Sequence, residues 1–213
     1  MISGHTTVAQ SFDPVDVVVR VGEYNNKPGK RVYLSQDEFF LANGLDIKQD
    51  NEGYYVSEYD INYKLASKVA KRLEEKGVKV KLQIANSKSQ DLNAAGRLAM
   101  KHNPKVYLSI HHNSFESDSS GYFLMTNEGN AKAKDIAQRI SDNLVSNPKR
   151  IPQRENRIQD GYIGEMNETN STINILLEAG FYSNKSELSK ITSDEQVEFI
   201  ANKIAEELFS VIK

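Results

Sequence analysis

The 213-residue chain has no cysteine, no tryptophan and only four histidines. Lack of cysteine excludes thiolate zinc fingers, iron–sulfur clusters, cysteine nucleophiles and disulfides together. Any metal must then sit on His, Asp and Glu, and the histidines available are His5, His102, His111 and His112. An excess of one charge is also missing, with 27 Lys+Arg against 29 Asp+Glu and a net charge of −2. No nucleic acid partner is expected, since that would want a basic face. No segment approaches the ~18–20 consecutive apolar residues of a membrane span. Met1 to Thr7 lacks a basic n-region followed by a long apolar stretch, so no signal peptide is expected. What is present, 38% hydrophobic and 26% charged residues, fits a soluble globular chain, and the length favours one domain.

Periodicity supplies the elements. Ser57 and Asp60 have capping-box-like spacing before a helix carrying Ile61, Leu65, Ala66, Val69, Ala70 and Leu73, which Gly77 ends. Residues 78–82 alternate as a strand, Ser89 caps a second helix through Ala99, and Val106–Ile110 is a strand that delivers His111, His112 and Asn113 at its carboxyl end. A third strand over 121–126, a helix over 133–144, a fourth strand over Ile173–Leu177 and a long C-terminal helix from Asp194 follow. Residues 149–171 read as a long polar surface loop. The alternation of helices and strands predicts a single α/β domain with a twisted, mostly parallel sheet that places ligands at the carboxyl ends of its strands. Before residue 57 the pattern is weaker. Asp16–Val21 and Arg31–Leu34 flank a turn at 25–29 and suggest a hairpin, so 15–56 reads as a hairpin-like insertion or irregular segment.

Three elements could supply metal ligands: Gly4-His5 after a stub of strand, Glu58 at a helix start and His111 at a strand end. Two imidazoles and one carboxylate make a hydrolytic zinc set, which keeps a fourth position for water and lowers its pKa to about 7. A fourth element, Glu178, follows five largely apolar strand residues, where a carboxylate is costly to bury without purpose. Each has a plainer reading. His5 fits a solvated terminus, Glu58 a helix-dipole acid and His111 one of a surface pair with His112. Adjacent strand residues point to opposite faces, so at most one of His111 and His112 belongs to a shared site.

Taken in order, these stretches resemble the zinc-dependent N-acetylmuramoyl-L-alanine amidases of bacterial autolysins and phage endolysins. Gly4-His5 is similar to that family's glycine–histidine at the end of its first strand. Residues 58–62 resemble its Glu-x-x-x-Asn, residues 108–114 its Ser-Ile-His-x-Asn, and residues 176–184 its Leu-x-Glu-x-Gly-Phe-x-x-Asn. The resemblance implies that His5, Glu58 and His111 hold Zn2+ and that Glu178 is the catalytic carboxylate. It implies hydrolysis of the amide joining N-acetylmuramic acid to L-alanine of the stem peptide, hence peptidoglycan as partner and the bacterial cell wall as place of action. Wall binding would fall to a domain or protein outside this chain. Asn62 and Asn113 are expected to orient ligands and strand ends. Arg154 and Arg157, with Tyr162, are candidates for a wall facing an acidic glycan–peptide.

The chain also departs from the pattern. Only three residues precede Gly4, and His5 stands 58 − 5 = 53 residues before Glu58. An alternative alignment puts residues 19–23 on the first strand, with Glu23 in the histidine position; imidazole chemistry favours His5. Gln83-Ile84-Ala85-Asn86 replaces the family's arginine after the second strand. Two other readings compete: a catalytically silent wall-binding relative, and a zinc peptidase or deacetylase acting on another substrate.

Overall fold

The computed structural model describes residues 12–24, 30–85, 91–145, 153–161, 164–169 and 172–213. In chain order the strands are β1 (Val17–Tyr24), β2 (Arg31–Leu34), β3 (Lys48–Gln49), β4 (Tyr54–Ser57), β5 (Val80–Ala85), β6 (Val106–Asn113), β7 (Tyr122–Thr126), β8 (Gln153–Asp160) and β9 (Ile173–Phe181). The helices are α1 (Glu58–Glu75), α2 (Leu92–Met100), α3 (Ala131–Val145), α4 (Gly164–Asn167), α5 (Lys185–Ile191) and α6 (Asp194–Ile212). Six strands form one sheet in the order β5-β1-β6-β9-β7-β8. All neighbours pair in parallel except β7 with β9. The expected single α/β domain with a mostly parallel sheet is what forms.

Strand alternation sorts the core into two layers. Val17, Val19 and Val21 of β1, Val106, Leu108 and Ile110 of β6, and Ile173, Ile175 and Leu177 of β9 share one buried cluster with the apolar stripes of α1, α3 and α6. The residues between them turn to the other face, where Val18 and Tyr107 meet Ala99 of α2. By this alternation Arg20, Ser109, His111 and Glu178 also belong to the second face, so the period that builds the core groups the polar residues.

Helix α1 begins as its sequence dictates. The Ser57 side chain accepts from the Asp60 amide at 3.3 Å, and the Ser57 amide donates to Asp60 Oδ2 at 3.3 Å, which satisfies two orphan donors of the first turn. The helix ends at Gly77, whose φ of 78° is a left-handed conformation that glycine adopts freely. Asp91 caps α2 by accepting from the Asn93 amide at 2.9 Å; Ser89, the expected cap, lies outside the described residues.

Two expectations are corrected. The hairpin does not form: β1 runs parallel between β5 and β6 in the main sheet, so it is a core strand and not part of an insertion. An antiparallel ribbon does exist in this region, but it pairs β2 with β4, and β4 with β3, in a separate small sheet. Its apolar side, with Val32, Leu34 and Val56, packs with Ile61, Tyr182, Leu188 and Ile191. The polar loop expected over 149–171 instead contains β8 at the sheet edge and the single turn α4. An edge strand needs no alternating apolar face, which is why its composition looked like loop.

Candidate active site

Glu23, Glu58 and His111 converge although 88 residues separate the first from the last, and their ligand atoms all lie within 4.8 Å of one another. Each is delivered by a different element: Glu23 by the end of β1, Glu58 by the first position of α1, and His111 by β6. Glu23 has φ 58°, a left-handed conformation costing a non-glycine residue roughly 1–2 kcal/mol. The β1–β5 ladder shifts register between Arg20 and Tyr24, the kind of irregularity that re-aims a side chain. Strain of this sort persists where surrounding contacts enforce it, and it clusters at functional sites. Glu58 is 1% exposed and His111 8%. Glu178 lies opposite His111 in the β6–β9 register.

A buried network fixes these groups. The Asn62 amide nitrogen donates to the Gly22 carbonyl at 3.0 Å and to Glu58 Oε1 at 3.2 Å. Its oxygen is then left to accept, and His112 Nδ1 lies 2.8 Å from it, so the proton of that imidazole is assigned to Nδ1. Burial pushes His112 down to about 3, which keeps it neutral in this network. Asn113 plays a more local part: its side-chain oxygen accepts from the Ser114 amide at 2.7 Å, and its carbonyl accepts from the Tyr182 amide at 3.0 Å, holding the turn after β6.

The His111 ring is held between two carboxylates. Nδ1 is 3.3 Å from Glu58 Oε1 and Nε2 is 3.4 Å from Glu165 Oε1. Burial alone would lower its pKa, but the facing carboxylates of Glu165 and Glu58 and the other charges around it raise it to about 10. Burial opposes ionisation of Glu58 as well, yet His111, Lys30 and Asn62 hold it below the usual carboxylate range. Glu178 behaves oppositely: burial, reinforced by Glu58 and Glu165, pushes it up to about 7 against the pull of His111 and Lys30. Its Oε2 is buried and has no hydrogen-bond partner among the described residues, while the residue as a whole stays partly open. Lys30, about one-third exposed, places Nζ 3.7 Å from Glu23 Oε1 and 3.4 Å from Glu58 Oε2.

These residues suit a divalent cation. Two carboxylates and an imidazole converge, Glu58 Oε2 is buried without a hydrogen bond among the described residues, and the ammonium of Lys30 faces both carboxylates. Hard oxygen and borderline nitrogen donors of this kind fit zinc. Among the described residues it is Glu23, the residue of the alternative alignment, and not a second histidine, that joins Glu58 and His111. His5 lies outside the described residues. Arg154 and Arg157 fall on the backbone of β8, but their side chains, and Tyr162, lie outside the described residues. The sequence reading missed Glu165, Arg20 and Lys30. The one available signal was Arg20, a charged residue interrupting the valine run of residues 17–21.

The family model described as N-acetylmuramoyl-L-alanine amidase, Amidase_3, matches residues 44–210, a range that holds Glu58, His111, Glu165 and Glu178 but not β1. No curated protein sequence matches the chain. Among solved structures, an N-acetylmuramoyl-L-alanine amidase from Clostridium difficile 630 aligns over 93% of this chain and 96% of its own, with TM-score 0.70 at 21% identity. The amidase Ami1 of Mycobacterium smegmatis aligns over 95% and 98%, with TM-score 0.70 at 15% identity. The catalytic domain of CwlV from Bacillus (Paenibacillus) polymyxa var. colistinus aligns over 92% and 96%, with TM-score 0.67 at 21% identity. At such identities the structures attest the shared fold.

Proposed function

Since the chain belongs to the N-acetylmuramoyl-L-alanine amidase family of peptidoglycan hydrolases, we propose that Glu23, Glu58 and His111 hold a zinc ion and that Glu178 carries the proton. The reaction is hydrolysis of the amide between the lactyl group of N-acetylmuramic acid and L-alanine. The observation that carries the reading is the convergence of three ligand atoms from three elements, with Glu178 in register beside His111. Zinc bound there supplies Lewis-acid polarisation of the scissile carbonyl and acidifies water at neutral pH.

The chain's own residues do the rest. Asn62 and its partner His112 hold Glu58 in place, and the left-handed Glu23 is aimed inward by the end of β1. Glu178, whose pKa burial raises in the metal-free site, is the group placed to take a proton from attacking water and return it to the leaving amine. Its partly open face leaves room for substrate, while its buried oxygen, without a hydrogen bond among the described residues, favours the protonated form. The place of action is the bacterial cell wall, and among the described residues no helix is long and apolar enough to cross a membrane. Wall binding by a domain or protein outside this chain is the accompanying proposal.

Incubation of purified peptidoglycan with the wild-type protein and with Glu178→Gln, followed by mass spectrometry, tests this. Wild type should release stem peptides with new L-alanine amino termini and no new reducing ends or acetate, and Glu178→Gln should keep zinc and lose release. Equal release by both removes Glu178 from the mechanism. The contact of Lys30 with both carboxylates favours a second reading, a metal-free relative whose ion cluster closes on itself. Zinc stoichiometry separates the two, because that relative retains none after loading and gel filtration.

A further inference from the structure

The edge of His111 that faces away from Glu58 meets a buried ion pair for which the reading above has no use. Glu165 Oε1 stands 3.4 Å from His111 Nε2, and Glu165 Oε2 stands 2.5 Å from Arg20 Nη1. Glu165 is 0% exposed and Arg20 2%. A buried ion pair is weak evidence for stability, because removing two charges from water costs about what their attraction returns. Its position is more informative. Arg20 occupies an inward position of β1, Tyr107 and Ser109 beside it on β6 are fully buried, and α4 brings Glu165 over them. The seat of α4 is specific: a Cβ on Gly96 of α2 would come 2.4 Å from the Glu165 carbonyl oxygen, so only glycine lets α4 approach this closely.

A metal-ligating imidazole has one nitrogen for the metal and one N–H that must go elsewhere, and a carboxylate there fixes both tautomer and ring orientation. In this chain the Nδ1 side faces Glu58 and the Nε2 side faces Glu165. We propose that Glu165 is the positioning residue of the metal centre, accepting the Nε2 proton of His111 so that Nδ1 is left for the metal, and that Arg20 keeps Glu165 charged and aimed. The proposal rests on the metal-site reading and adds a residue to it. Glu165 does not touch substrate or metal; it acts through His111.

The experiment is a chelator competition for zinc on Glu165→Gln, Arg20→Met, Arg20→Lys and the double variant Glu165→Gln/Arg20→Met, with thermal melts of each metal-free protein. Losing the outer partner of a ligating histidine weakens metal binding by about 10–100-fold, and Glu165→Gln should do so. Arg20→Lys should stay near wild type because it keeps the charge, and Arg20→Met should weaken binding. The double variant should be no worse than Glu165→Gln alone, because both changes act through one contact. A merely structural pair would lower all the melts and leave zinc affinity unchanged, and a folded Glu165→Gln with wild-type affinity overturns the proposal. If Glu165→Gln does not fold, nitrogen NMR of zinc-loaded wild type decides: metal on Nδ1 with a proton on Nε2 supports the assignment, and the reverse overturns it. A wild-type protein that takes up no zinc overturns the metal reading and this inference with it. Zinc uptake with wild-type affinity in Glu165→Gln overturns this inference alone.

Discussion

A single methyl group at position 22 tests whether the close approach of β1 to β6 sets the geometry of the centre. A Cβ on Gly22 would lie 2.5 Å from the Ile110 carbonyl oxygen and 2.6 Å from both Cδ2 and Cε1 of His111. Carbon atoms in ordinary contact stand about 3.5–4.0 Å apart, so each ring contact overlaps by roughly 1 Å. Neither neighbour yields easily. Ile110 pairs with Val21 in the parallel ladder, and the ring is held on one edge by Glu58 at 3.3 Å and on the other by Glu165 at 3.4 Å. Overfilling a packed interior costs about 1–3 kcal/mol, and a clash with backbone falls at the upper end, so Gly22→Ala should lose about 2–3 kcal/mol. Where space allows, the same substitution usually stabilises by about 0.4–1 kcal/mol through the unfolded chain, so the two outcomes differ in sign. Urea unfolding of the metal-free protein measures the loss. Zinc affinity should fall at least tenfold because the ring must move. An alanine variant that is as stable as wild type and binds zinc equally well refutes the packing argument.

Two further perturbations address the charges and hydrogen bonds around the same point. Asn62 is fully buried and serves Gly22, Glu58 and His112. At about 1–3 kcal/mol for each buried group left unsatisfied, Asn62→Ala should cost about 3 kcal/mol or more, and a loss below about 1 kcal/mol in urea unfolding counts against the network. Lys30→Met removes the ammonium that faces Glu23 and Glu58. The metal-free variant should melt at a lower temperature, because two carboxylates lose their shared partner, yet bind zinc several-fold more tightly, because a competing cation is gone. Weaker zinc binding by Lys30→Met than by wild type contradicts this.

What the sequence made legible follows how local each signal is. The start of α1 could be read because its cap, acid and apolar stripe lie within a few residues, and the structure has the same bonds between Ser57 and Asp60. The strands ending in His111 and Glu178 could be read because a buried parallel strand is a short apolar run with its polar residues at the end. β1 was misread for the same physical reason. Its partners β5 and β6 lie 63 and 89 residues on, at Val17↔Val80 and Val17↔Val106, and parallel pairing leaves no turn signal between partners. The turn residues at 25–29 followed by a second alternating run imitated a hairpin. With β1 read as part of a hairpin, imidazole chemistry outweighs position and favours His5 over Glu23 as first ligand; His5 lies outside the described residues, which bring Glu23 to Glu58 and His111. Glu165 gave no sequence signal: it sits on a four-residue helix in polar chain, and only the tertiary fold places it against Arg20 and His111.

The charge arrangement explains why a glutamate in the first ligand position need not silence the centre. A dication held by two imidazoles and one carboxylate keeps one net positive charge, which is what polarises a carbonyl. In the proposed ligand set Glu23 stands in place of one imidazole, which would cancel that charge among the ligands. Lys30, 3.7 Å from Glu23 and 3.4 Å from Glu58, returns one positive charge at close range, where screening by water is reduced by the burial of Glu58. The same ammonium that competes with a metal for the carboxylates therefore supplies the net positive charge of the centre once a metal is bound. On the other side of the ring Arg20 balances Glu165, so the second carboxylate near His111 adds no uncompensated charge. In the proposed ligand set Glu23, Lys30 and Arg20 form one electrostatic arrangement. Changing Glu23 to histidine alone would leave Lys30 beside an excess of positive charge and weaken metal binding, while the same change combined with Lys30→Met would restore it.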